Sequence, residues 1–255
     1  MGHGPGDLLP ITVLTGFPGA GETTLLGRIL RRPGFGRTAV IVDERGADGL
    51  DHEPIERAEE SVLLLEGGCS CCAARGELLR ALDRLRRARA RGRAEFDRVV
   101  VETTGLADPV PILQTLIVDR VAAARFRLDG IVTVVDALDG SATLAPAPGA
   151  VREAAAADRI VVSKTDLAEP AGFAELEARL RALDPIAPIR RAIRGEIEPA
   201  ALLDGGPRRT AGRRPEVERW SGELALDPSG RHSHEEGHEH APSGHSGAAH
   251  RHSQG

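Results

Sequence analysis

Short runs of apolar and β-branched residues alternate with longer segments of helical spacing over the first 200 residues of the chain. Nearly every position in the runs is apolar, which is typical of strands that are buried on both faces of a sheet. The runs predict six strands, at Ile11–Thr15, Thr38–Val42, Val62–Leu65, Arg98–Glu102, Gly130–Val135 and Arg159–Ser163. The segments between them predict helices, at Thr23–Arg32, Arg75–Arg91, Val151–Ala157 and Gly172–Leu183.

This alternation predicts βαβ units, and therefore an α/β domain whose mainly parallel sheet is covered by helices on both faces. Ligands of such sheets bind beyond the carboxyl ends of the strands. We expect the domain at residues 8–200 and a linker or remnant at 201–231, in which Leu224–Leu226 is a candidate last strand. Residues 232–255 hold seven of the nine histidines and are expected to form a disordered His-rich tail.

Composition narrows the class of protein. The 255 residues are 41% hydrophobic and 28% charged, which permits a packed core, and the net charge of −5 argues against a general nucleic-acid binder. No apolar run approaches the roughly 20 residues of a membrane span, and no signal peptide is recognisable. The three cysteines lie within four positions and cannot form a disulfide framework. We therefore expect a cytoplasmic protein that has neither nucleic acid nor membrane as a partner.

The first predicted strand runs into a glycine-rich turn and then a helix, which is the context of a phosphate-binding loop. Backbone N–H groups of such a loop converge on phosphate oxygens, and Thr23 stands where a hydroxyl binds Mg²⁺. The pattern requires Lys before this Thr, but the chain has Glu22. A unit charge at ~4 Å contributes about 4 kcal/mol at an effective dielectric near 20, so this reversal weakens both binding and hydrolysis. The alternative is a strand–turn–helix corner without a ligand.

The nucleotide-binding candidates of this loop are Gly16, Gly19, Ala20, Gly21, Glu22, Thr23 and Thr24.

A second motif, Ser163-Lys-Thr-Asp166, follows the last predicted strand. A lysine stem along a purine plane, followed by an Asp that accepts from guanine N1 and N2, selects guanine over adenine. Ser163 stands where Asn is more usual. Lys164 is the only lysine among 33 basic residues, which indicates a position where Arg does not serve. A solvated loop lysine is the alternative.

Glu102 ends the strand that precedes Thr103-Thr-Gly105. A carboxylate at this strand end can hold Mg²⁺ through water, which makes Glu102 a catalytic candidate together with Glu22. Gly105 is a candidate sensor of the γ-phosphate. A strand cap closed by Thr hydroxyls remains the alternative.

Cys69, Cys71 and Cys72 lie in a glycine-flanked turn after the third predicted strand. Three thiols in a cytosolic protein favour a soft metal, with Zn²⁺ first and Cu⁺ second. Zinc usually takes four ligands, and the fourth would come from Glu44, His52 or the tail. Tail imidazoles also bind Zn²⁺, Ni²⁺ or Co²⁺ weakly. Buried structural cysteines and a redox pair are the alternatives.

These segments, in this order, resemble the CobW-like family of metal-handling P-loop GTPases, which are relatives of the hydrogenase and urease nickel-insertion GTPases. The resemblance covers about residues 10–195. The matching segments are GFPGAGETTLL at 16–26, AVIVDERGADGLD at 39–51, GGCSCCAARGEL at 67–78, DRVVVETTGLADP at 97–109, LDGIVTVVDA at 128–137 and ADRIVVSKTDL at 157–167.

The resemblance implies a GTP-binding α/β domain that hydrolyses GTP with Mg²⁺ and delivers metal, often zinc with Co²⁺ or Ni²⁺ as alternatives, to a client metalloprotein. It places phosphates and Mg²⁺ on the loop at 16–24, guanine on Lys164 and Asp166, and the transferred metal on Cys69, Cys71 and Cys72. Glu44 matches the acidic residue of the family's switch segment, and a homodimer is a candidate assembly.

Departures from the family's pattern leave two other hypotheses open. Glu22 replaces the phosphate lysine, Asp43 stands where Asn is usual, and Ala47 replaces a second acidic residue of the switch segment. The chain also ends in the His-rich stretch, after which the family commonly continues into a second domain. One alternative is therefore a metal-binding or storage protein on a scaffold whose nucleotide hydrolysis is impaired, and another is an adenine-specific P-loop enzyme.

Overall fold

A single seven-stranded parallel sheet forms the centre of the protein, in the spatial order β3-β2-β4-β1-β5-β6-β7. The computed structural model describes residues 8–35, 37–43, 62–65, 71–103, 110–144 and 148–203. The strands are β1 Leu9–Gly16, β2 Thr38–Asp43, β3 Val62–Leu65, β4 Arg98–Thr103, β5 Phe126–Asp136, β6 Arg159–Ser163 and β7 Ile189–Arg191. The predicted α/β class with a mainly parallel sheet is confirmed.

Helices connect the parallel strands. Their bounds are α1 Glu22–Leu30, α2 Cys71–Ala90, α3 Val110–Val118, α4 Arg120–Ala123, α5 Gly140–Leu144, α6 Pro148–Ala156 and α7 Pro170–Leu183, and a 3₁₀ turn follows at Pro199–Ala201. Pro170 occupies the first turn of α7, where its missing N–H costs nothing. No helix among these described residues is both long enough and apolar enough to cross a membrane.

The hydrophobic core lies on both faces of the sheet. Successive strand residues point to opposite faces, so that Val40 packs with one cluster and Ile41 with the other. The first cluster includes Leu25 of α1 and Leu176 of α7, and the second includes Leu82 of α2. Both faces are covered in the described part of the chain, and ligands of such sheets bind at the carboxyl edge.

Several elements were not predicted from the sequence. In α3, nearly every residue is apolar, so the sequence shows no helical periodicity, and α4 and α5 span only four and five residues. The strand β7 is a three-residue edge strand, Ile-Arg-Arg, without an apolar pattern. The candidate strand at 224–226 lies outside the described residues, and the boundaries at 200 and 231 stay predictions.

Candidate functional site

The phosphate-binding loop lies at the centre of the carboxyl edge, between the end of β1 and the start of α1. Two of its glycines, Gly19 and Gly21, adopt positive φ angles of 74° and 88°, which glycine tolerates without strain. The Ala20 N–H donates to the Phe17 carbonyl at 2.9 Å, and Phe17 and Ala20 are both buried. The predicted strand–turn–helix context is therefore present. Its turn contains two backbone conformations that glycine adopts more easily than other residues.

Glu22, the first residue of α1, lies against the first glycine of the loop. A Cβ built on Gly16 would come within 2.6 Å of the Glu22 Oε1 atom, so the carboxyl group packs directly over that glycine. The pKa of Glu22 is raised from 4.5 to about 7, chiefly by desolvation on burial. The neighbouring carboxylates of Glu102 and Glu153 contribute to the rise, and backbone hydrogen bonds oppose it. The loop therefore carries an acid that is close to half ionised at neutral pH.

Thr23 and Glu102, the two residues expected to hold Mg²⁺, are in direct contact. The Thr23 hydroxyl donates to Glu102 Oε1 at 2.5 Å, although the two residues are 79 positions apart. Glu102 is buried and stands opposite Leu14 in the β1–β4 register. The buried hydroxyls of Thr15 and Thr103, at the ends of the same two strands, have no hydrogen-bond partner within the described part of the chain. Hydroxyl and carboxylate oxygens suit Mg²⁺, so these residues fit the ion.

The second motif lies directly beside the phosphate loop. The Lys164 ammonium donates to the Gly19 carbonyl at 2.9 Å, and the Ser163 hydroxyl donates to the Ala20 carbonyl at 2.7 Å. Lys164 adopts a left-handed backbone conformation with φ 54°, which is unusual for a residue with a side chain. A segment more than 140 residues away in the sequence thus holds the loop in place.

Asp136, at the end of β5, is a site residue that the sequence analysis missed. Its buried carboxylate accepts from the Lys164 ammonium at 2.5 Å and from the Leu138 N–H at 2.7 Å. The signal was available, because an Asp directly follows the apolar run of the fifth predicted strand. Glu153 of α6 is a second missed residue, since its charge acts on Glu22 through space.

A cleft of about 230 Å³ opens between the start of α1 and the loops that follow β6 and β7. It is smaller than the ~300–1,000 Å³ typical of sites for drug-sized ligands, and is therefore suited to part of a nucleotide. The predicted residues Ala20, Gly21, Thr24, Ser163, Lys164 and Asp166 line it. It is also lined by residues that were not predicted, Leu25, Arg28, Leu167, Arg194 and Gly195.

The cysteine motif follows β3, which lies on the other side of β1 from this cleft. All strands run parallel, so β3 ends at the same edge as β1, about 14 Å away across three strand spacings. Cys71 and Cys72 begin α2, so the predicted turn is helical there. Their side chains, together with Cys69, Glu44 and Gly105, lie outside the described residues. Among the described residues no group of three His, Cys, Asp or Glu side chains forms a metal site.

Comparison with known proteins agrees with this geometry. Residues 10–191 match the model of the CobW/HypB/UreG nucleotide-binding domain. The chain belongs to this family. It is 38% identical over 197 residues to the zinc chaperone YjiA of Escherichia coli and 32% identical over 200 residues to the zinc-regulated GTPase metalloprotein activator 1 of Schizosaccharomyces pombe. The crystal structure of zinc-bound YjiA GTPase superposes with a TM-score of 0.61 at 29% identity, over 80% of this chain and 63% of that one.

The match with these CobW/HypB/UreG relatives is partial. It covers 77% of this chain but 61% of YjiA, and 75% of this chain but 47% of the fission-yeast protein. The chain therefore spans about half to three fifths of the relatives it matches. What they share with it is the nucleotide-binding domain, which contains the carboxyl edge described above.

Proposed function

We propose that this chain binds GTP, hydrolyses it, and uses the cycle to deliver Zn²⁺ to a client metalloprotein. The metal would be carried by the cysteine motif, written CxCC, of Cys69, Cys71 and Cys72. The observation that carries the proposal is the direct contact between the guanine-selecting and phosphate-binding motifs, made by Lys164 on Gly19 and by Ser163 on Ala20. A site for one nucleotide requires its base-binding and phosphate-binding parts to be adjacent. The zinc-chaperone and GTPase names of the relatives support the same function.

Different residues of the carboxyl edge bind different parts of the nucleotide. Backbone groups of the loop at 16–24 bind the phosphates, while Lys164 and Asp166 bind the base. Thr23 and Glu102 would hold Mg²⁺, which when bound neutralises charge on the phosphates. Glu102 also orients the Thr23 hydroxyl, because its Oε1 atom accepts the hydrogen bond which that hydroxyl donates.

Coupling between nucleotide and zinc would pass along the carboxyl edge. Between the loop after β1 and the CxCC motif after β3 lie the ends of β4 and β2, which lead into the segments at 102–108 and 43–51. We propose that bound GTP orders these two segments and thereby changes the metal affinity of Cys69, Cys71 and Cys72. Zn²⁺ titrations with GTP, with GDP and without nucleotide test this step. Equal zinc affinity under all three conditions would refute this coupling, provided that GTP and GDP are shown to bind in the first two.

A second candidate is a metal-binding or storage protein in which nucleotide hydrolysis is impaired, and the Glu22 geometry favours it. The carboxyl group over Gly16 puts an acid where the loop pattern requires a cation that stabilises the transferring phosphoryl group. Its charge also repels phosphate, and repulsion is strongest above pH 7, where Glu22 is ionised.

GTP hydrolysis by the native chain, Glu22→Lys and Glu22→Gln decides between the candidates. If the native chain turns over GTP and Glu22→Lys changes the rate less than about tenfold, the GTPase proposal stands. If only Glu22→Lys turns over, the second candidate replaces it. Glu198→Gln, at an exposed site outside the cleft, is the matched control. Competition by ATP tests the adenine-specific alternative, since Asp166 is expected to discriminate against adenine.

A further inference from the structure

Arg194 shares an unusual backbone conformation with Lys164. These two are the only residues other than glycine with positive φ among the described residues, at 51° and 54°. Such conformations cost about 1–3 kcal/mol and persist where the surroundings impose them, often at functional sites. Both residues are cations and both line the 230 Å³ cleft. Lys164 contacts the Gly19 carbonyl and Asp136, whereas the sequence analysis assigned no role to Arg194.

The turn that presents Arg194 is fastened to α1, the helix that begins at the phosphate loop. Ile193 and Glu196 form an antiparallel bridge that closes the turn. Glu196 pairs with two arginines, Arg28 of α1 at 3.1 Å and Arg32, which lies just after the end of that helix. Gly195 packs so closely on the helix that a Cβ there would lie 2.8 Å from Arg28 Cδ, and its φ of 74° suits glycine. These contacts hold the backbone of the turn, and with it the backbone of Arg194, beside the nucleotide cleft.

Arg194 in turn faces the base-reading carboxylate. Its Nε lies 3.7 Å from Asp166 Oδ2, and the Arg194 side chain is 82% exposed whereas that of Asp166 is 23% exposed. The neighbouring Thr165 hydroxyl donates to the Ala192 carbonyl at 3.4 Å, which ties the same two loops together. A carboxylate oxygen has more than one lone pair, so Asp166 can keep this ion pair while accepting from a base.

We propose that Arg194 is a specificity-determining positioning residue, which holds the Asp166 carboxylate in the orientation that accepts both N1–H and N2–H of guanine. Glu196 acts one step further back, by fastening the turn to Arg28 and Arg32. This inference rests on the proposed guanine-nucleotide function. It adds a second cation to the base pocket and extends the pocket to the turn at 193–196.

The test compares GDP with inosine diphosphate, which lacks the 2-amino group, by calorimetric titration. It is run in the native chain and in Glu22→Lys, because a lysine at this position is expected to favour phosphate binding. Arg194→Ala is expected to weaken GDP binding about two- to fivefold, the range of an exposed ion pair. Inosine diphosphate makes one contact fewer with Asp166, so the variant should weaken its binding less. The ratio of the GDP and inosine diphosphate affinities should therefore decrease. The loss should shrink at 1 M salt, where screening acts over about 3 Å.

Two further variants separate positioning from a general structural effect. Arg190→Ala removes an exposed arginine of β7 outside the cleft and should bind both nucleotides like the native chain. Glu196→Ala should lower GDP affinity, and adding Arg194→Ala to it should cost little more, because both act on Asp166 through one turn.

Several outcomes would overturn the inference. It is wrong if Arg194→Ala leaves the affinities for GDP and inosine diphosphate unchanged or lowers both by the same factor. It is equally wrong if the losses of GDP affinity from Arg194→Ala and Glu196→Ala are additive in the double variant. It is also wrong if Arg190→Ala reproduces the loss. If GDP binds in neither the native chain nor Glu22→Lys, or ADP binds as well as GDP, the proposed guanine function fails and the inference fails with it. If the protein prefers GDP to ADP but Arg194→Ala has no effect on either GDP or inosine diphosphate binding, this inference is refuted and the proposed guanine function stands.

Discussion

Glu22 makes the stability of the domain depend on pH in a direction that can be tested. Its pKa is about 7 in the folded protein and 4.5 when unperturbed, with desolvation as the main cause. Between these values the folded state holds a proton that the unfolded state releases, so stability falls as pH rises from about 4.5 to 7. Above pH 7 the penalty is complete. At about 1.4 kcal/mol per pKa unit, the complete penalty is about 3.5 kcal/mol, of which about 3 kcal/mol is already present near pH 7.

Glu22→Gln removes the ionisable group while keeping the shape of the side chain. We expect it to stabilise the protein by up to about 3 kcal/mol at pH 8 and by less than about 1 kcal/mol at pH 5. For a domain of this size, the gain at pH 8 corresponds to a rise in Tm of about 6–12 °C. Urea unfolding of both chains at the two pH values measures the difference directly.

The control is Glu198→Gln, which removes an exposed carboxyl group and should change stability equally little at both pH values. The reasoning is refuted if Glu22→Gln gives the same gain at pH 5 as at pH 8, because burial of an ionised carboxylate then has no part in it. A loss of stability at pH 8 would likewise show that the Glu22 charge is favourable in the loop.

Other predictions concern the remaining parts of the edge. Ser163→Ala removes the bond to the Ala20 carbonyl and should destabilise the protein by about 1 kcal/mol in urea unfolding; no change would mean that water replaces the hydroxyl. Lys164→Ala should weaken GDP binding at least tenfold in calorimetry while leaving zinc stoichiometry unchanged, and a parallel loss of zinc would contradict separate sites. Cys71→Ser should lower zinc affinity at least tenfold in competition with a chelator, with GDP affinity retained in the absence of zinc; unchanged zinc binding would exclude this thiol as a ligand.

The sequence was sufficient to predict the α/β class, six of the seven strands and four of the helices. Apolar runs such as Arg159–Ser163 must be buried on both faces, and this requirement acts locally. It was also sufficient to predict the glycine-rich turn between β1 and α1, because the glycines at 19 and 21 take left-handed conformations that other residues avoid. The short helices and β7 were missed because tertiary packing, rather than a local pattern, determines them.

Only the tertiary structure decided which distant residues meet. Asp136 and Lys164 are 28 positions apart and Thr23 and Glu102 are 79 apart, and no local preference encodes those distances. The parallel order of the strands creates them, because it brings all seven carboxyl ends to one edge. The sequence showed that Glu22 reverses a charge, but only burial of its carboxyl group against Gly16 brings its pKa to about 7. Residue identity supplies chemical groups, whereas desolvation and proximity, which arise only on folding, set their protonation and their partners.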